Sequence, residues 1–322
     1  MGVLILVRQI IFRSLRYRHD NESVILVLTI LLVLAVIVLT STVTFCLSGV
    51  FVVGMFVLSA LMIRSHHQSL MRTAYAINPV QTPELADVVE ECALKLQPGP
   101  VDVFLAKEKQ MNAYTFGVGD PKVLVLFSPL LKVMSPGELK FIIGHEMGHV
   151  ALGHTWLNTI VGGLAGIPAP FGAAVILYAA FRWWNRLCEF SADRAGLLAC
   201  GDLHHATLAL VKLVAPEIRS QVDFDKALAL IDAEDDLASN RIAEAFQSHP
   251  MLIRRINELR EYARSEEYRQ LQAGVNRNVG VRSTRPVAYG RPTPPVTMAQ
   301  AEPEEKQQVP PEERWPWLKG RD

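Results

Sequence analysis

From Val24 to Ile63 the chain carries no charged residue: VILVLTILLVLAVIVLTSTVTFCLSGVFVVGMFVLSALMI. A helix needs about 20 residues to cross a hydrocarbon layer, so a run of about 40 has the length for two crossings. Polar interruptions at Thr40-Ser-Thr-Val-Thr44 and Ser48-Gly49 divide the run. The pattern predicts transmembrane helices over 24–42 and 46–63, joined by a short uncharged turn. One long core helix is excluded, because no soluble core hides so long a run without polar relief. The run also starts too deep and is too long for a cleaved leader, and no small-residue cleavage site follows it. Arg8, Arg13, Arg16 and Arg18 precede the hairpin, Arg64 and Arg72 follow it, and the turn carries no cation. By the excess of cations on cytoplasmic segments, both ends face the cytoplasm. Residues 1–23 read either as an amphipathic helix in the interface or as a disordered basic leader.

Beyond the hairpin the period of the pattern changes. Leu85, Val88, Val89, Cys92 and Leu96 recur at helical spacing, so 83–96 is a helix with one buried face. VDVFLA (101–106), AYTFGV (113–118) and KVLVLF (122–127) are short and β-rich, with turn residues such as Gly119-Asp-Pro121 between them, and predict a small sheet. Ser135-Pro-Gly-Glu138 carries a capping box and a proline at the first helical position, opening a helix that runs through His145 and His149. Further helices are predicted over 186–199, 203–214, 224–235 and 250–272. From Gly274 the chain turns rich in proline, glycine, arginine and glutamate, which predicts a disordered tail. The class is α+β, mainly helical. Four segments result: a basic N-terminal segment (1–23), two transmembrane helices (24–64), a domain over 65–273 and the Pro-rich tail (274–322).

Charge and cysteine usage narrow the possibilities. The formal net charge of +0 over 322 residues gives no reason to expect a nucleic-acid partner. Cys46 lies in the apolar run, and Cys92, Cys188 and Cys200 show no C-x-x-C spacing, so they read as small apolar residues kept reduced, which fits the cytoplasmic compartment.

The candidate chemistry lies in IIGHEMGHVALGH (142–154). HExxH on a helix projects two imidazoles, His145 and His149, from one face, where they can share a zinc ion, with Glu146 as the base beside it. Gly144 and Gly148 let another backbone approach that helix closely. His154 falls one residue short of the third histidine of the longer H-E-x-x-H-x-x-G-x-x-H motif, and Leu152 stands where that motif needs glycine. It reads as a structural histidine near the end of the helix. Glu189 is the better third ligand. In CEFSAD it shares a helix face with Asp193, four positions on, whose carboxylate would hold a ligand histidine in one tautomer. The competing reading is a solvated helix with two acids beside Arg194.

HEMGHVALGH, EFSADRAG, NAYTFG and SHPMLIRRI, in matching order over roughly residues 80–260, resemble the HtpX and CAAX prenyl protease family of integral-membrane zinc metallopeptidases. The two-helix hairpin is similar to the HtpX branch, since the prenyl-protease branch would need more spans. The resemblance implies a gluzincin-type domain holding one Zn²⁺ on His145, His149 and Glu189. It implies Glu146 as general base and Asp193 as the partner of a ligand histidine. It further implies an edge strand that holds extended substrate through Asn112 and Ala113. At His249 it implies a hydrogen-bond donor to the oxyanion, and at Arg255 the matching substrate-site arginine; a helix-start His-Pro with structural arginines is the alternative.

Between the two motifs, Trp156 to Phe181 carries no charge. A single crossing there would put Glu189 across the membrane from His145 and His149. Pro168 and Pro170 break the run into halves too short to span about 30 Å. The expectation is therefore an insertion, 156–184, that dips into the cytoplasmic leaflet or packs on the first two helices, leaving the zinc near the membrane surface. The expected protein is an integral, membrane-anchored endopeptidase of the bacterial inner membrane, working on the cytoplasmic side on membrane or misfolded proteins. Two rivals are a processing protease with one dedicated substrate and a catalytically silent membrane scaffold; intact Glu146 argues against the latter.

Overall fold

The computed structural model describes residues 17–43, 47–165, 172–216, 218, 223–225 and 250–279. His249, the break at Pro168 and Pro170, most of the helix predicted at 224–235, and the tail from 280 lie outside the described residues. Two long helices come first, α1 (Glu22–Val43) and α2 (Leu47–Thr73). Then follow β1 (Tyr75–Ala76), α3 (Pro83–Leu96), β2 (Val101–Ala106), β3 (Ala113–Phe116) and β4 (Lys122–Phe127). The remainder is helical: α4 (Leu130–Val133), α5 (Pro136–Ala151), α6 (His154–Ala165), α7 (Gly172–Cys200), α8 (Leu203–Val214), α9 (Pro250–Arg264) and α10 (Glu266–Val279).

The sheet has the order β1-β2-β4-β3. β4 runs parallel to β2 and antiparallel to β3, in registers that set Val103 opposite Leu124 and Tyr114 opposite Val125. β4 is central and apolar on both faces, as a strand covered on both sides must be. Leu124 and Leu126 join the main core under α3 and α5, while Val123 and Val125 pack with Phe116 and with Leu70 of α2. α5 lies across this layer. Its N-terminus shows the capping box: Ser135 Oγ accepts from Glu138 N, and Glu138 Oε2 accepts from Ser135 N at 3.1 Å.

Several boundaries differ from the sequence reading, among them the start of α7, at Gly172 and not at 186. α2 continues to Thr73, past the apolar run, because SHHQSLMRT contains no glycine or proline to stop it. α5 ends at Ala151, with Gly153 at φ 77° turning the chain, so His154 opens α6 instead of ending α5. The helix predicted over 250–272 is two helices, broken at Ser265, whose hydroxyl accepts from Tyr268 N. The second of these runs to Val279, five residues beyond the point where the disordered tail was expected to begin.

Residues 17–21 are not a free leader. Tyr17 is 2 % exposed and belongs to the main core, and Arg194 lies over the Tyr262 ring beside it while donating to Arg18 O. Ile25 packs with Trp184, Leu187 and Phe190 of α7. The opposite side of α1 presents Val24, Val27, Leu28, Leu31, Val38 and Leu39 outward, and α2 exposes Val57, Leu58 and Leu61. Over their described residues, no helix is long and apolar enough to cross a membrane.

Candidate metal centre

α5 and α7 form the site by approaching until their backbones nearly touch. Gly144 and Gly148 of α5 face Ala195, Gly196 and Ala199 of α7, and a Cβ added at Gly148 would stand 2.5 Å from that of Ala195. This closeness brings His145 and His149 against Glu189. The two Nε2 atoms are 3.2 Å apart, and each lies 3.5 Å from an oxygen of Glu189. A tetrahedral zinc centre with bonds of about 2.0–2.1 Å has ligand–ligand edges of about 3.3 Å, so the donor atoms fit the ion.

The surroundings point the same way. His145 Nδ1 donates to Asp193 Oδ1 at 2.9 Å, which leaves the Nε2 lone pair facing the centre. Lone pairs converging on one spot require positive charge between them. Burial disfavours the charged imidazole, yet hydrogen bonds to Asp193 and Glu189 outweigh it and raise His145 to about 10. Burial likewise works to raise Glu189, but Arg255 and the two imidazoles hold its carboxyl well below the ordinary range.

Arg255 stands beside the carboxylates of the centre as well as on the cavity. Its guanidinium forks onto Asp193 at 2.7 and 2.8 Å and reaches Glu189 at 3.1 Å. Its described partners are thus the carboxylates that build the centre, although it also borders the cavity. The fork matches a carboxylate in both shape and charge.

Glu146 is buried on the cavity side of α5. Burial, the largest influence, raises its pKa above the usual carboxylate value against the pull of His145 and His149. The cavity measures about 480 Å³, and Asn112, Ala113 and Thr115 of the β3 segment form one wall. The lining also includes Asn158 of α6 and Asn185 of α7. Sequence reasoning passed over both asparagines, although Asn185 stands one helical turn before Glu189 and so shares its face.

A further group of donors, Glu22, His154 and Cys188, also lies close together. Two of its members, Glu22 and His154, are already engaged. His154 bonds Glu22 at 2.9 Å through Nε2 and His149 at 3.0 Å through Nδ1, while Arg18 pairs with Glu22 at 2.9 Å. Burial holds His154 neutral, lowering it to about 4 against the pull of Glu22, and burial also pushes the Cys188 thiol upward.

Residues 79–263, more than half of the chain, match peptidase family M48. The chain is 29 % identical over 221 residues to the plastoglobule-localized metallopeptidase 48 of Arabidopsis thaliana, covering 64 % of each protein. It is 26 % identical to an HtpX protease homologue of Desulfatibacillum aliphaticivorans, over 59 % of this chain and 72 % of that one. It is 28 % identical to another from Persephonella marina, over 60 % and 80 %. No solved structure matches. The chain therefore belongs to peptidase family M48, as an HtpX-like metallopeptidase.

Proposed function

We propose that the protein is a membrane-anchored endopeptidase that holds one zinc ion on His145, His149 and Glu189 and hydrolyses extended segments of unfolded or membrane proteins. The observation that carries this reading is a single cavity lined by Glu146, by the converging ligands and by the strand segment at Asn112–Thr115. Zinc bound there supplies a Lewis acid for the scissile carbonyl. Glu146 takes the proton of the attacking water and delivers it to the leaving amine. Its raised pKa brings it closer to neutral pH, where a shuttling carboxylate is most effective. Asp193 fixes the tautomer of His145, and Arg255 holds both Asp193 and Glu189 in place.

Among the described residues β3 is paired on one side only. Asn112 O accepts from Phe127 N, so alternation turns Tyr114 toward β4 as well and leaves the backbone groups of Ala113 and Thr115 at the free edge. There the Asn112 side chain covers Ala113 N at 2.9 Å, and an incoming strand would replace it. Recognition through the backbone suits any extended segment, which favours quality control over one dedicated substrate.

Anchoring is supported by the uncharged run and by the apolar side chains that α1 and α2 turn outward. Trp156 and Trp183, exposed at the base of the α6–α7 excursion, are placed as interfacial tryptophans would be, with the zinc near the cytoplasmic membrane surface. The test uses protein extracted from carbonate-washed membranes and purified in detergent. Wild type with zinc cleaves unfolded casein, and Glu146→Gln does not. Equal cleavage by both would refute the role of Glu146.

A further inference from the structure

We propose that His154 and Glu22 are positioning residues for the second metal ligand, joined to His149 by a chain of hydrogen bonds that makes the first turn of α1 part of the metal centre. The proposal rests on the metallopeptidase reading above.

The chain has a single consistent direction. A metal ligated through His149 Nε2 leaves the hydrogen on Nδ1, so that nitrogen donates to His154 Nδ1 at 3.0 Å. His154 Nδ1 must then be the acceptor, which puts its own hydrogen on Nε2, and Nε2 donates to Glu22 Oε1 at 2.9 Å. Each ring nitrogen and each hydrogen has one role, and both imidazoles are neutral. Reversing either ring would set two hydrogens or two lone pairs face to face. The network therefore selects the tautomer that leaves His149 Nε2 free for metal.

Glu22 is itself held in place. It has no solvent exposure, accepts from the Ser191 hydroxyl and pairs with Arg18. Ser191 Oγ also accepts from His19 N at 2.8 Å, tying the start of α1 to α7 two positions beyond Glu189. Arg18 extends to Leu152 O at 2.7 Å, the carbonyl at the end of α5. Glu22 thus stands between the two helices that carry the ligands, and both of its carboxylate oxygens are in use.

This arrangement makes the two histidines unequal. His145 faces a carboxylate directly through Asp193, whereas His149 reaches its carboxylate only through a neutral imidazole. A cation site on Glu22, His154 and Cys188 is the competing use of the same cluster. Arg18 already supplies the counter-charge there, and both nitrogens of His154 are engaged.

The test measures zinc affinity of the full-length protein in detergent, by competition with a chromophoric chelator. Unfolding of the metal-free protein is followed in parallel. His154→Phe fills the space without a hydrogen bond, and zinc affinity should fall about 10–100-fold, the usual cost of removing a ligand's outer partner. His154→Gln retains one donor and one acceptor and should recover part of that loss, which a purely packing role would not produce. A folded His154→Phe protein that binds zinc within about twofold of wild type would overturn the proposal. Should His154→Phe fail to fold, Glu22→Gln is read instead: a severalfold loss supports the chain, and unchanged affinity overturns it. His149→Ala separates the two levels. If it binds zinc like wild type, the metallopeptidase reading fails and the proposal with it. If it loses zinc while folded His154→Phe does not, only the hydrogen-bond chain fails.

Discussion

Gly148→Ala tests the close approach that creates the centre. The added Cβ would lie 2.5 Å from Ala195 Cβ and 3.3 Å from Ala192 Cα. Carbon atoms rest at about 3.5–4.0 Å, and the opposing atoms are fixed to a helix backbone, so α5 and α7 must part by about 1 Å. Overpacking of this kind costs about 1–3 kcal/mol, and at about 2–4 °C per kcal/mol the metal-free protein should melt about 2–12 °C lower. The chemical effect should be larger than the thermal one. His145 and His149 ride on α5 and Glu189 on α7, with the donors 3.5 Å apart. Parting by about 1 Å takes those pairs to about 4.5 Å, beyond the edge of about 3.3 Å that a tetrahedral centre needs. Zinc affinity should then fall at least about tenfold, as when a ligand's support is lost. Thermal unfolding and chelator competition on the same samples give both values. A variant with melting within about 1 °C and zinc affinity within about twofold of wild type would refute the argument that this contact sets the ligand distance.

Three further outcomes follow from the same structure. Gly274→Ala has nothing within 4 Å of the new Cβ inside α10, and should stabilise by about 0.5–1 kcal/mol in a denaturant titration. Arg255→Met leaves the buried Asp193 and the partly buried Glu189 without their counter-charge and should cost about 3 kcal/mol in metal-free stability. Arg255→Lys should recover less than half of that in the same titration, because an ammonium cannot fork onto Asp193 and reach Glu189 together. Glu91 ties α3 to α5 through Lys140 at 2.5 Å and also pairs with Lys95. Burial tends to raise its carboxyl, but the two lysines prevail and hold it below the ordinary value of 4.5. A depressed carboxylate stabilises above its unfolded pKa, and the contribution disappears as pH falls through the folded value. Glu91→Gln should therefore cost about 1 kcal/mol at neutral pH and nothing in strong acid, read from unfolding curves across pH.

Much of the centre was legible because its signals are local. The capping box at Ser135, the spacing of His145 and His149, and the spacing of Glu189 and Asp193 each repeat within one or two helical turns, and helix geometry turns such spacing into shared faces. β4 was legible because a strand covered on both faces has an unbroken apolar run. Contacts between distant segments left no such trace. Glu22 and His154 meet across 132 positions, and no periodicity in the chain announces it. The arginine at 255 was read through resemblance as a substrate residue, and only the fold shows its fork on Asp193. The end of α5 was misjudged because Gly153-His154 looked like a continuation, whereas a positive φ at Gly153 turns the chain and aims His154 back at His149. Gly274 misled in the opposite sense, since helix propensity is a weak prior that packing of α10 on α3 and α7 overrides.

Residues on the N-terminal side of the apolar hairpin are part of the folded domain. Read along the chain, the apolar hairpin separates a short basic leader from the domain. In the folded protein Tyr17 is in the domain's core, Arg18 closes the end of α5, and Glu22 stands behind a metal ligand. A cation near the last carbonyls of a helix stabilises that end, and here the helix is the one carrying HExxH. α1 is thus joined to His149 through two hydrogen bonds, and Arg18, just before it, to the end of α5 through one. The segment before the hairpin thus packs with the domain that follows it, and Glu22 takes part in the hydrogen-bonded surroundings of His149.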